Sequence, residues 1–150
     1  MQVSQKCQYT LRALFELAKR QGDGPVSVAE IADAQAIPRR FLELILLDLR
    51  SSGIVESHRG NQGGYVLGAP PESITVGDII RATEGSLSPV RCIVGRSETH
   101  CRLRNRCVFM GLWQRAQKAA EEVYDNTTLQ DLIDDERTAA AQSSPLVSIM

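Results

Sequence analysis

Between Ser27 and Leu67 the spacing of apolar positions changes twice, and the rest of the chain is arranged around those changes. Ser27 followed by Glu30 is a capping box, so a helix is predicted from Val28, burying Val28, Ile31 and Ala32 and ending near Ala34. After a tight turn, Pro38 sits where a first helical residue belongs. Phe41, Leu42, Ile45, Leu46 and Leu49 follow at alternating steps of one and three, which predicts one buried stripe. Arg39, Arg40, Glu43 and Arg50 fall on the opposite face, and Gly53 supplies the left-handed stop. The period then becomes alternating. Ile54 to Arg59 and Tyr65 to Leu67 flank Gly60-Asn61-Gln62-Gly63-Gly64, a hairpin with a glycine-rich tip.

The flanking segments are helical. Ser4 can cap a first helix running to Gln21, with Cys7, Leu11, Leu14, Phe15 and Ala18 on one face. Cys7 on that stripe reads first as a small buried hydrophobe. Past the break at Gly68-Ala69-Pro70-Pro71, Thr75 and Asp78 start a short capped helix that buries Val76, Ile79 and Ile80 and stops at Gly85. No hydrophobic period is visible from Arg91 to Cys107. Phe109, Leu112, Trp113, Ala116, Ala120 and Val123 then recur at helical spacing, giving a long amphipathic helix that needs a partner. We read that partner as its twin in a homodimer, with Ala116 and Ala120 permitting close approach. Asn126-Thr127-Thr128 caps a last turn, Leu129 to Ile133, and the chain from Thr138 onward reads as unstructured.

The resulting fold class is mainly α with a small β-hairpin wing, a winged helix-turn-helix, plus a long C-terminal dimerisation helix. Its parts are a winged helix-turn-helix at 1–67 (helix-turn-helix 28–51, wing 54–67) and a linker with a short helix at 68–90. A cysteine loop at 91–107, the dimerisation helix at 107–124 and a terminal helix turn with a flexible tail at 125–150 follow. Two angled helices, the second polar on one face, and a hairpin with an arginine at its tip fit a reader of duplex DNA. Pro38, Arg39, Arg40 and Glu43 are the candidates to meet bases or phosphates, with Arg59, Asn61 and Gln62 at the wing. For Glu43 a mere surface pair with Arg39 or Arg40 is the slightly weaker alternative.

Composition changes this picture little. A chain of 150 residues, 43% hydrophobic and 23% charged, suits one globular unit with a helical appendage. No apolar run approaches a bilayer span, and the polar Gln2, Ser4, Gln5 and Lys6 do not form a signal-peptide pattern, so a cytoplasmic protein is expected. The net charge of -1 argues weakly against a nucleic-acid binder until it is located. Arg91, Arg96, Arg102, Arg104, Arg106, Arg115 and Lys118 cluster against Glu98 alone, while acids crowd the segment from Glu121 to Glu136.

The cysteines change it more. Cys92, Cys101 and Cys107 lie with eight and then five residues between them in an arginine-rich loop. Structural zinc sites use close pairs, and none is present here. Iron-sulfur clusters tolerate wider spacing, and the arginines would offset the charge of a thiolate-ligated cluster. The same loop also suits a metal-free thiol switch. An enzyme is disfavoured: there is no Cys-x-x-Cys pair, nucleophile elbow or phosphate loop, and the histidines are His58 in a strand and His100 in a loop. A cluster carrier without DNA affinity is a third class, which salt-dependent duplex binding would exclude.

Phe41-Leu42-Glu43, Leu49-Arg50-Ser51-Ser52-Gly53-Ile54-Val55 and Ser57-His58-Arg59-Gly60-Asn61-Gln62-Gly63-Gly64-Tyr65 resemble the Rrf-two family of winged-helix regulators, which includes iron-sulfur, nitric oxide and iron sensors. The resemblance runs from Met1 to about Asp135, and Asn61 stands where the family more often has proline. It implies a homodimeric transcription regulator on a pseudo-palindromic operator, with a 2Fe-2S or 4Fe-4S cluster held by Cys92, Cys101 and Cys107. It also suggests that Glu43 accepts from a cytosine amino group. Met110 stands where cluster-binding members carry a ligand histidine. The fourth ligand is therefore open among His100, Glu98, Cys7 or Gln8 of the partner chain, and an exogenous thiol or water.

Overall fold

In the computed structural model, residues 2–93 and 101–143 are described. They form six α-helices and one antiparallel hairpin. Helix α1 (Gln5–Lys19) starts where Ser4 Oγ accepts the Cys7 N–H at 3.1 Å. Helix α2 (Val28–Gln35) opens on the expected capping box: Ser27 N–H donates to Glu30 Oε2 at 2.9 Å, and Glu30 N–H to Ser27 Oγ at 3.2 Å. Ala36 closes it in the left-handed region at φ 51°.

Helix α3 (Arg39–Ser52) begins one residue later than its proline suggested. Pro38 is the cap rather than the first helical residue, and its carbonyl accepts from Leu42 N–H at 3.0 Å. Leu42, Ile45, Leu46 and Leu49 are buried as expected. Phe41 is not: at 39% exposed it lies one stripe over, with Leu44 (62%) and Leu47 (50%), and its ring packs edge-on with Tyr9. A stripe 41, 44, 47 is present in the sequence, but the core is already filled by its neighbour.

Strands β1 (Val55–His58) and β2 (Gly64–Leu67) pair from Val55 with Leu67 to His58 with Gly64. Val26 and Tyr65 exchange both backbone hydrogen bonds, at 2.9 and 2.8 Å, tying the wing to the start of the helix-turn-helix. Gly64 permits that approach, since a Cβ there would overlap the Val26 carbonyl.

Helix α4 (Val76–Glu84) carries the Thr75–Asp78 capping box and ends at Gly85. Helix α5 (Met110–Asp125) starts three residues after the predicted point, and none of its residues is buried. Helix α6 (Leu129–Ser143) corrects the terminal reading: the turn at Leu129 continues for 15 residues, through the stretch from Thr138 to Ser143 that was expected to be unstructured. Leu129 and Ile133 enter the core against α1, and the good helix formers Arg137 and Ala139 to Gln142 propagate the helix outward.

One core joins α1, α2, α3, the hairpin, α4 and α6, centred on Leu14, Ile31, Leu42, Leu46, Ile79 and Leu129. Cys7 is fully buried in a smaller cluster with Val76, Ile80 and Leu87. Among the described residues no helix is long and apolar enough to cross a membrane.

Candidate nucleic-acid interface and thiol loop

Helix α3 is anchored through four buried aliphatic residues, which leaves Pro38, Arg39, Arg40 and Glu43 exposed at its amino-terminal end. Arg39 Nε lies 3.7 Å from Glu43 Oε1, the surface pair that the sequence allowed. Both side chains are more than half exposed, so the pair is weak, of the order of 0.5 kcal/mol, and base contacts can replace it. The wing holds Arg59, Asn61 and Gln62 exposed around a tight tip, where Gly63 N–H donates to the Gly60 carbonyl at 3.0 Å. Among the described residues Arg40 and Arg59 make no ion pair. Arg50 Nη1 reaches Ser57 Oγ at 3.4 Å, linking the far half of α3 to the wing's first strand.

Arg12 and Glu16, which the sequence reading passed over, grip the turn that aims α3. Arg12 Nη2 donates to the Gln35 carbonyl. Glu16, 5% exposed, accepts from Gln35 Nε2 at 2.8 Å and Arg20 Nε at 2.9 Å, with Lys19 at 3.4 Å. Burial alone would push the Glu16 carboxyl up, but the hydrogen bonds from Gln35 and Arg20 and the charge of Lys19 outweigh it and hold it below the ordinary range. The available signal was an acid between Phe15 and Leu17 inside an apolar helix, which must be paired if it faces inward.

The thiols sit differently. Cys92 lies in a 3-10 turn, Arg91–Ile93, that packs against α5, and Cys107 lies just before α5; both are half-buried, while Cys101 is exposed. All are free of disulfides. Backbone turns from Arg104 N–H to Cys101 O and from Arg106 N–H to Leu103 O carry the chain between the last two. Among the described residues no three or more His, Cys, Asp or Glu side chains are placed to share a metal ion. Glu98 and His100, two of the fourth-ligand candidates, lie outside the described residues. Gln8 donates from Nε2 to the Val3 carbonyl. Burial, with the nearby Glu84 charge, pushes the Cys7 thiol up to about 11, which suits packing and disfavours a thiolate ligand.

Comparison with known proteins agrees with this architecture. Residues 3–135 match the Rrf2 family, described as iron-dependent transcriptional regulators. The chain is 42% identical over 132 residues to the HTH-type transcriptional regulator CymR of Bacillus subtilis, covering 88% of this chain and 89% of that one. The solved structure of CymR, the global cysteine regulator of B. subtilis, superposes with a TM-score of 0.71 over 88% of this chain and 95% of its own. The IscR structure from T. potens, 37% identical, gives 0.75 over 93% of this chain and 90% of its own. Its relatives are transcription regulators and not enzymes. With a reading helix, a wing and a match spanning nearly all of its helices, the chain belongs to the Rrf2 family of DNA-binding transcription regulators.

Proposed function

We propose that this regulator works in the cytoplasm as a homodimer on a pseudo-palindromic operator, with the two α3 helices in successive major grooves and Arg59 of each wing on the backbone or minor groove. One observation carries the reading. The exposed Arg39, Arg40 and Glu43 and the wing tip hang from the same core, so their relative position is rigid before DNA arrives. Glu43 reads a cytosine amino group, and Pro38, Asn61 and Gln62 complete the contact surface. Dimerisation is supported by α5 and its cap, where Phe109, Leu112 and Val123 stay 44 to 64% exposed in the single chain.

The sensing element is the thiol loop. Three free thiols form a soft donor set that fits an iron-sulfur cluster better than hard cations, and Cys92, Cys101 and Cys107 would be the residues that hold it. Bound there, the cluster supplies a centre that responds to iron supply, oxidants or nitric oxide. The chain's own part would be mechanical: the Arg91–Ile93 turn packs against α5 and Cys107 lies just before that helix, so a change at these thiols would shift α5 and with it the spacing of the two heads. A metal-free thiol switch is the second reading, favoured by the exposure of Cys101 and the ungathered arrangement of the three thiols.

Iron and acid-labile sulfide counts on anaerobically purified protein, repeated on Cys101→Ala, separate the two. Stoichiometric iron with sulfide supports the cluster. Colourless iron-free protein whose duplex binding still changes on oxidation supports the switch. Duplex binding at fixed salt by the loaded and unloaded forms tests whether either matters to DNA.

A further inference from the structure

The arm formed by α5 meets the rest of the molecule through contacts of different character. It packs against the Arg91–Ile93 turn. Its end is fastened. Asp125, the last residue of α5, forks onto Arg81 of α4, with Oδ1 2.5 Å from Nη2 and Oδ2 3.4 Å from Nη1. The next residues add two backbone bonds, Val76 N–H to the Thr127 carbonyl at 2.8 Å and Leu129 N–H to the Ile74 carbonyl at 3.0 Å.

Gly77 makes this joint possible. It is buried in the first turn of α4, and a Cβ there would overlap the Asp125 carboxylate and stand 2.9 Å from Arg81 Nη2. Arg81 is also 3.7 Å from Asp78 Oδ1, so the guanidinium is held from the α4 side as well. A planar, two-pronged ion pair resists rotation in a way that a single contact does not.

The geometry sets what the joint controls. A 16-residue helix is about 24 Å long, so a swing of ~10° at one end moves the other by ~4 Å. That is roughly one base-pair step of about 3.4 Å. We propose that Gly77, Arg81 and Asp125 fix the angle between reading head and α5, and thereby the half-site spacing the dimer accepts. They are positioning residues that never touch DNA. The inference rests on the dimeric DNA-binding reading above.

The test uses the full chain as wild type, Asp125→Asn, Gly77→Ala and, as a surface-charge control, Asp134→Asn. A duplex is selected from a randomised pool by the wild type, and versions with one base pair inserted or removed between half-sites are compared. We expect wild type and the control to discriminate at least tenfold against both spacings, and the two joint variants less than threefold, with dimer mass unchanged by sedimentation. Joint variants that discriminate like wild type overturn the proposal. A readout without DNA uses a spin label on an unnatural amino acid at the exposed Asp23 and measures head-to-head distance by pulsed dipolar spectroscopy. A shifted or broadened distribution in the joint variants is expected, and one superimposable on wild type overturns the joint. A wild type that gives neither a selected duplex nor a dipolar distance instead sinks the dimeric DNA-binding reading, and the spacing role with it.

Discussion

Helices α3 and α5 are close in length, 14 and 16 residues, and both are amphipathic, yet α3 buries four aliphatic residues in this chain's own core and α5 buries none. In the proposed dimer this difference separates two tasks. A reading helix must be aimed, so its orientation is set by packing that exists before any partner binds. A helix that couples two copies must leave its apolar stripe open until the second copy arrives, and its orientation in the single chain depends on its ends. Rigidity therefore belongs to the head and adjustability to the arm.

The strongest way to break this contrast is to hollow out each helix. Leu46 is fully buried, so Leu46→Ala should cost about 3 kcal/mol in urea unfolding through lost transfer energy and a residual cavity. Leu112→Ala, at a position 44% exposed, should leave the unfolding midpoint nearly unchanged in dilute protein while weakening self-association in sedimentation. Equal unfolding costs would erase the distinction.

At the reading surface the expected effects are somewhat smaller. Glu43→Ala should relax discrimination at one operator position by roughly 1–3 kcal/mol. Arg59→Ala should weaken binding to all sequences alike and lower the salt slope by about one phosphate's worth. Operator affinities across a salt series check both, and intact affinity in both variants would refute this docking.

The grip on the turn before α3 depends on pH. Glu16 is held below the ordinary carboxylate range in the folded state, so the unfolded chain takes up its proton first as pH falls. Its contribution is fully present above the unfolded value of about 4.3 and is lost as pH drops through the lower folded value. Glu16→Gln should cost about 1 kcal/mol at neutral pH and flatten the acid limb of a stability-pH curve. An unchanged limb would show that the α1 contact does not hold the turn.

The smallest effect is at Ala36, the non-glycine residue found at positive φ among those described. Left-handed backbone costs alanine about 1–2 kcal/mol, and glycine's extra unfolded-state entropy returns about 0.5–1 of it. Ala36→Gly should therefore stabilise by about 0.5 kcal/mol, seen as a slightly higher thermal midpoint. A fall would mean that the Ala36 methyl contributes packing that its exposed position hides.

Much of the head was legible because its determinants lie within a few residues of each other. Ser27 with Glu30 and Thr75 with Asp78 bond across three positions, Gly53 ends α3 by its own φ of 80°, and the glycines at the tip leave the hairpin few registers. The exposure of the candidate DNA residues was legible for a similar reason: polar positions opposite a buried stripe face outward. The errors lie where two local solutions competed. Phe41 and Leu42 are adjacent and both apolar, and α6 could stop at Ile133 or run on to Ser143.

By itself, then, the chain's order of residues determined its caps, its helix and hairpin periods and the exposure of Arg39, Arg40, Glu43 and Arg59, because short-range hydrogen bonds and periodicity settle these. Only the tertiary structure decided which apolar stripe of α3 is covered, that Glu16 clamps Gln35, and that Asp125 reaches Arg81 across 44 positions. Such contacts depend on where several helices meet, and the depth of a core and the crossing of its helices belong to the whole assembly rather than to any window of the chain.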